Sequence, residues 1–399
     1  EKICYSEGEV SFETFTVYQP MTFVDRHTYI TKNNELFKQS LKCLSNNVDN
    51  IVIPLTGGHD SRRIALAATD LEIEFSAVTQ ETSDANGFDV DMLVAQELAQ
   101  MLDIKQHAKL AAPQNKQIHL NRLYKDYWCG FESSQHEWSV SISKEVAGNS
   151  TIFDGIIGGV IINNHSFHRK KHNLESSASP QQLANDIYKP PLFAIKEQYL
   201  SSDRLENISS ELARFPQDYN QITLFKIFNH TRRNIGHWFS LFLHDGHKMA
   251  LPYGYLPFFQ QSLTLDPSER STALFQRECM AQLNEQVANL HSTRDKLDAT
   301  HWRDAGAEIA QRVQPHYPPQ LVDLSSSLFA YFESSLGDKV SDSLLYPLMP
   351  ERMIESRSWK YIPLQRLALF MQWLATDESE LPVLFKGEAP FVKQVISRI

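Results

Sequence analysis

The sequence predicts an α/β protein, a doubly wound parallel sheet joined to a large helical C-terminal part. Three observations predict it. Short, largely apolar runs at Ile51–Leu55, Phe75–Thr79 and Ser150–Phe153 have the length and continuity of strands buried on both faces. Helical spacing fills the intervals, as in Arg63–Ala68 and residues 89–102, so strand and helix alternate as in a sheet wound with crossover helices. Beyond about residue 163, helical periodicity takes over.

Taken in order, residues 3–30 alternate polar and apolar positions, with Val10, Phe12, Phe15, Val17 and Tyr18, then Thr22 to Tyr29. They predict two or three strands joined by turns at Gly8 and Pro20. Residues 34–46 predict a helix with Leu36, Phe37, Leu41 and Leu44 on one face. Ile51–Leu55 follows as a buried strand, and Arg63–Ala68 begins a helix of strong formers. After the Phe75–Thr79 strand, a polar loop runs from Gln80 to Gly87. The helix over 89–102 carries Val90, Leu93, Val94 and Leu98, and Ile104–His107 predicts a third strand. Ser150–Phe153 enters a second glycine-bearing loop, Asp154-Gly155-Ile156-Ile157-Gly158-Gly159. Residues 163–184, rich in His, Asn and Ser, read as an exposed loop. Residues 185–250 and 268–399 read as helical, interrupted by Pro pairs at 190–191 and 318–319. The expected organisation is a β-rich segment over 1–46, an α/β ATP-binding core over 47–162 and a mostly helical part over 163–399.

The 399 residues are 42% hydrophobic and 22% charged, which supports a sizeable core and excludes general disorder. A net charge of −10 offers no field for a nucleic-acid backbone, so no nucleic-acid partner is expected. No run of about 18 apolar residues occurs, so no membrane-spanning helix is expected. The first 30 residues lack a basic segment followed by an apolar one, so no signal peptide is expected. The opening at Glu1 rather than Met leaves a removed or preceding segment open. Cys4, Cys43, Cys129 and Cys279 form no close pair. That argues against zinc or a redox dithiol and for packed free thiols in a reducing, cytoplasmic setting.

The chemistry is expected at Thr56-Gly57-Gly58-His59-Asp60-Ser61-Arg62, between a strand and a helix. Adjacent glycines reach backbone conformations closed to other residues and let their amides approach an anion. The helix start near Ser61 adds unpaired amides and a positive dipole end. Thr56 and Ser61 add hydroxyls. Asp60 suits a Mg²⁺ that bridges phosphate oxygens, and Arg62 or Arg63 suits the charge on a leaving pyrophosphate. For the glycine pair alone, a plain strand-to-helix turn capped by Asp-Ser is the competing reading. The loop is neither the GxxxxGK[ST] type nor the GxGxxG dinucleotide turn.

These seven residues resemble the SGGxDS loop of the ATP-pyrophosphatase superfamily. With the Arg that follows, they are similar to the synthetase domain of asparagine synthetase-like proteins. Phe75–Thr79 with Asp89-Val90, Ala95, Leu98, Ala99 and Leu102 resembles the family's second strand and helix. Thr151–Gly159, preceded by His136, is similar to the strand and glycine loop that close the nucleotide pocket. Leu251-Pro252-Tyr253 through Leu265-Asp266-Pro267, and Leu290–Arg294, resemble two later segments. The resemblance covers roughly 47–295. It implies an adenine nucleotide alpha hydrolase-like fold and an ATP-dependent ligase using ATP and Mg²⁺. Such a ligase adenylates a small-molecule carboxylate and passes the acyl group to ammonia or an amine, releasing AMP and pyrophosphate. It implies that Leu55 and Val78 flank adenine and ribose through backbone groups. Thr56, Gly57, Gly58, Asp60 and Ser61 would bind pyrophosphate, Asp60 would hold the Mg²⁺, and Asp154 and Gly155 would touch the nucleotide. Asp60, Ser61 and Arg62 are the residues expected to carry catalysis.

Two departures bear on catalysis. The family's second loop reads SGxGxDE, whereas Ile156, Ile157 and Val160 occupy the acidic places here, and Tyr255 stands where a later aspartate would be. This removes a metal ligand and a helper for amine deprotonation. The alternative is a catalytically degenerate nucleotide-binding or scaffold protein of the same fold. The residues before Ile51 are too few for a glutaminase domain and Cys4 is not terminal, so glutamine hydrolysis in cis is not expected. Free ammonia, a separate amidase, an amine on the substrate and a homo-oligomer stay open.

Other clusters admit two readings each. His165, His168 and His172, with Arg169 to Lys171, are a lid toward an anionic ligand or a solvated loop. His136 and Glu137 are a general-base pair or structural groups. Arg232 and Arg233, on a helix with Trp238, bind an acidic substrate or have a surface or packing role. His244 and His247 flank a turn at Asp245-Gly246.

Overall fold

The computed structural model describes residues 2–6, 9–13, 25–46, 48–81, 90–110, 121, 125, 129, 138–162, 179–187, 203–218, 220–265 and 274–292. The chain divides into two compact units, one of Glu1–Ile187 with Leu205–Pro315 and one of Tyr188–Arg204 with His316–Ile399. The first unit holds the parallel sheet and both glycine loops.

Strands β1 (Lys2–Ser6) and β2 (Glu9–Glu13) pair antiparallel, as the early alternation predicts. The alternation fails further on, because helix α1 (Arg26–Ser45) starts inside Thr22–Tyr29 and well before residue 34. Asp25 decides this locally. Its carboxylate accepts the Thr28 amide at 3.0 Å and the Thr28 hydroxyl at 2.6 Å, contacts that hold the carboxyl below its ordinary range. The helix then buries Tyr29, Ile30, Asn33, Phe37 and Leu41 on one stripe.

Strands β3 (Ile51–Pro54), β4 (Ser76–Gln80), β5 (His107–Leu110), β6 (Thr151–Phe153) and β7 (Lys248–Ala250) form one parallel sheet in the order β5-β4-β3-β6-β7. The chain winds outward from β3 to β5, then returns to the other side of β3. The order reverses between β3 and β6, which pair with Ile51 opposite Thr151 and Val52 opposite Ile152. At such a reversal the connections leave in opposite directions and open a crevice at the carboxyl ends of the strands. Both strands are buried throughout, as strands covered on two faces should be.

Two strand assignments shift. β5 begins where the sequence placed the end of the third strand, after Asp103 turns the chain at φ 50°. β7 lies in a stretch read as helical. Its three residues are too few to display a period, and Gly246 (φ 86°) and Pro252 bracket it. The sheet therefore draws its fifth strand from beyond the 47–162 segment.

The helices are α2 (His59–Asp70) after β3, α3 (Val90–Met101) after β4, α4 (Trp138–Glu145) before β6 and α5 (Gly158–Ile161) after it. Then come α6 (Pro180–Ile187), α7 (Arg204–Ala213) and α8 (Gln221–Lys226). A π-helix over Ile227–Ile235 and a 3₁₀ turn over Gly236–Trp238 lead into α9 (Phe239–His244). After β7, a 3₁₀ turn (Pro252–Gly254) precedes α10 (Leu256–Leu263), α11 (Leu274–Ala281) and α12 (Glu285–Asn289). α6 replaces the end of the loop read over 163–184. Residues 163–178, 188–202 and 293–399, and with them His165, His168, His172 and both Pro pairs, lie outside the described residues, as do His136 and Glu137.

One core joins Ile53 and Leu55 to Ile64 and Ala67 of α2, Phe37 and Leu41 of α1, Phe258 of α10 and Phe275 of α11. Cys43, Cys129 and Cys279 are free thiols, and burial pushes that of Cys279 up to about 11. Among the described residues no helix is long and apolar enough to cross a membrane.

Candidate functional site

Strand β3 delivers the chain to Leu55, whose amide donates to the Val78 carbonyl at 2.8 Å and whose carbonyl accepts the Thr79 hydroxyl at 2.8 Å. The backbone groups expected beside adenine are thus tied to one another at the end of the β3–β4 ladder. The turn follows. Thr56 Oγ1 accepts the Gly58 amide at 3.2 Å, and Ser61 Oγ lies 3.1 Å from both the Thr56 amide and Thr56 Oγ1. A Cβ on Gly58 would stand 3.2 Å from Thr56 Oγ1, a tight contact that favours glycine. The Gly57 amide donates to Asp91 Oδ1, in the first turn of α3, at 2.9 Å. Gly58, the residue that opens α2, brings no side chain to cap its first turn.

Across the strand-order reversal, Asp154 opens the second loop. Its amide donates to Ala250 of β7 at 3.0 Å, and its carboxylate accepts the Ile156 amide at 2.8 Å. This loop closes directly on Asp60. A Cβ on Gly155 would come within 2.8 Å of Asp60 Cβ, and one on Gly158 within 3.0 Å of both Asp60 Oδ1 and the Tyr253 ring. Glycine alone permits that approach. Gln276 Nε2 donates to Asp60 Oδ1 at 2.9 Å and to the Tyr253 oxygen at 3.2 Å, while the Tyr253 hydroxyl donates to the Asp60 carbonyl at 3.0 Å.

Thr56, Gly57, Gly58, Asp60 and Ser61 of the first loop are thus brought close to Asp154 and Gly155 of the second. Tyr253 and Gln276 join them, although the sequence predicts neither as a site residue. Tyr253 could have been found as the residue just past the carboxyl end of a strand, had β7 been visible. Gln276 carries no such signal, being one amide on an amphipathic helix.

The electrostatics follow from burial. Asp154 is 8% exposed. Burial, reinforced by the Asp60 charge and opposed by the amides of Ile156 and Gly155, pushes its carboxyl up to about 7. Burial and then the Asp60 charge push the Tyr253 hydroxyl well above its ordinary value, so it remains a donor. Ile157 sits at φ 76°, a region that β-branched residues rarely enter, at a cost of about 1–3 kcal/mol. Its carbonyl accepts the amides of Val160 and Ile161 at 2.8 and 3.0 Å, so the strained residue also starts α5.

Arg62 and Arg63 differ from expectation. Both are fully buried. Arg62 donates to the carbonyls of Gly57 (3.0 Å), Val287 (3.4 Å), His291 (2.7 Å) and Leu290, tying the segment after α12 to the loop. Arg63 donates to Asn33 (2.7 Å) and Asn34 (2.9 Å) and lies 4.5 Å from the Phe37 ring centroid. The helix turn after Asp60 places both guanidiniums in the core, where they hold backbone carbonyls and asparagine side chains.

Mg²⁺ is commonly held by one or two carboxylates together with substrate phosphates and water. The charge of Asp60 reaches the Asp154 carboxyl, so these two acids are the donor type that would suit a Mg²⁺ arriving with phosphate groups. Among the described residues no cluster of three or more His, Cys, Asp or Glu side chains is arranged to hold an ion without them.

A cavity of about 810 Å³ lies elsewhere, at the amino ends of the strands, where Asn50, Glu72 and Asp103 turn the chain with positive φ. Ligands of open parallel sheets collect at the opposite, carboxyl ends, so the two glycine loops are the candidate site. Compared with protein-family models and with curated proteins, the chain matches none.

Proposed function

We propose that this chain is an ATP-dependent, AMP-forming carbon–nitrogen ligase of asparagine synthetase type, built on an adenine nucleotide alpha hydrolase-like core. The observation that carries the reading is the meeting of two glycine loops at the strand-order reversal, with Asp60 lodged against Gly155 and Gly158. In that reaction ATP, with Mg²⁺, activates a small-molecule carboxylate as its acyl-adenylate, pyrophosphate leaves, and ammonia or an amine takes the acyl group.

The chain's own groups divide the work. Thr56, Gly57, Gly58 and Ser61 supply hydroxyls and amides to the pyrophosphate portion, helped by the amino end of α2. Asp60 and Asp154 would hold Mg²⁺. Gln276 and Tyr253 fix the Asp60 side chain and carbonyl. Arg62 acts indirectly, by fixing the Gly57 carbonyl. Leu55 and Val78 form the floor beneath adenine. The nitrogen arrives as free ammonia, as ammonia released by a separate amidase, or as an amine on the substrate, in a cytoplasmic setting.

A second reading, a nucleotide-binding protein without turnover, is favoured by one observation: the second loop, which closes on Asp60 through Gly155 and Gly158, carries apolar Ile156, Ile157 and Val160. Exchange of labelled pyrophosphate into ATP, run with candidate carboxylates on the wild type and Asp60→Ala, separates the two. Exchange lost in Asp60→Ala supports the ligase. ATP binding without exchange in the wild type favours the second reading, and equal exchange in both proteins sinks the first.

A further inference from the structure

An amide that a phosphate-binding loop should offer to its ligand is already engaged by an anion. Gly57 N–H donates to the Asp91 carboxylate at 2.9 Å, although Asp91 lies 34 positions further on, in the first turn of α3. The next peptide unit is held as well: Arg62 Nη2 donates to the Gly57 carbonyl at 3.0 Å, and the Gly58 amide donates to Thr56 Oγ1 at 3.2 Å. Gly57 is itself buried. A buried glycine whose amide donates to a carboxylate oxygen suits an anionic oxygen in general, and a phosphate oxygen meets the same need.

We propose that Asp91 competes with ligand phosphate for the Gly57 amide, and that a phosphate oxygen displaces it, releasing the amino end of α3. The proposal rests on the nucleotide-binding reading of this loop. One N–H cannot serve two anions well, and a carboxylate beside the bound phosphate would repel it. Asp91 therefore lowers affinity for phosphate and sets a threshold that only a ligand with further contacts, such as a di- or triphosphate, overcomes. The rival account has Asp91 remaining in place to align the loop, in which case its loss weakens binding.

The two accounts differ in sign, so calorimetric titration decides between them. Inorganic pyrophosphate and ATP, each with Mg²⁺, are titrated into the full chain as wild type, Asp91→Asn and Asp91→Ala. Asn keeps the shape and removes the charge, whereas Ala removes charge and hydrogen bond together. Pyrophosphate Kd is expected to fall roughly tenfold or more in Asp91→Ala and by less in Asp91→Asn, the scale of a hydrogen bond to a charged group. In the wild type, amide exchange at the start of α3 should rise when pyrophosphate binds. Unchanged or weaker binding in both variants overturns the competition while leaving the nucleotide reading intact. No binding of pyrophosphate or ATP by any of the three proteins overturns both. If Asp91→Ala does not fold by circular dichroism, the sign of the Asp91→Asn change decides alone.

Discussion

The carboxylate of Asp60 accepts the side-chain amide of Gln276 at 2.9 Å, although the two residues lie 216 positions apart. Gln276 is fully buried and its amide bonds Asp60 Oδ1, which biases the way the carboxylate faces. Gln276→Leu should cost about 1.5–3 kcal/mol, the range for a hydrogen bond to a charged group, measured by urea denaturation. Gln276→Glu keeps the shape but opposes two negative charges. It should be destabilised more, and Mg²⁺ with ATP should restore more of the loss in Glu than in Leu. Equal loss in both, without rescue, would mean that Gln276 does not address Asp60's charge.

Gly155 and Gly158 are held to glycine by Asp60 itself. Alanine at either should cost about 1–3 kcal/mol, because the contacts are to backbone, ring and short side-chain atoms that cannot step aside. Gly148 has nothing within 4 Å of an added Cβ, so Gly148→Ala serves as a control. It is expected to change stability by no more than about 0.5 kcal/mol. Melting temperatures of the three variants check this directly, and a harmless Gly155→Ala would show that the two loops are not in contact.

Asp154 makes stability depend on pH in a stated direction. Its carboxyl is raised from 3.8 to about 7, so the folded chain holds a proton that the unfolded chain releases. Its contribution is complete below the unfolded value and is lost as pH rises through about 7. Asp154→Asn keeps an acceptor for the Ile156 amide but cannot ionise. The variant should exceed the wild type by up to about 4 kcal/mol at pH 8, with the gap closing toward pH 4. A gap that widens on acidification contradicts the assignment.

Arg62 holds four backbone carbonyls, three of them in residues 287–291. Arg62→Met leaves those acceptors buried and should cost about 3 kcal/mol or more. The loss should register as faster amide exchange across α12, with the β3–β4 ladder less affected. Uniform exchange throughout the unit would instead indicate a general loss of packing.

The sequence displayed what repeats or punctuates. The buried runs of β3 and β6, the periodic face of α3 and the Gly57-Gly58 pair all leave local marks, and these marks are enough to place the two loops. The misses share a cause. Asp25 overrides an apparent strand through one cap. β7 is shorter than one period of any pattern. Arg62 is a cation beside an expected anion site, and no local mark in the sequence shows that it is buried among backbone carbonyls. Gln276 acts through a partner that no spacing rule connects to it.

The late position of β7 also shapes how the protein must be made. Until residues 248–250 emerge, β6 is an open edge with no partner on that side, and the Asp154 amide lacks its acceptor on Ala250. A nascent chain that has completed both glycine loops, the second ending at Gly159, must wait until Lys248–Ala250 are made before the second is anchored. Pairings so distant in sequence are slow to form and leave a strand edge exposed to other chains meanwhile. A product ending at residue 162 would carry every loop residue named in the sequence and yet meet its neighbours through the unprotected side of β6.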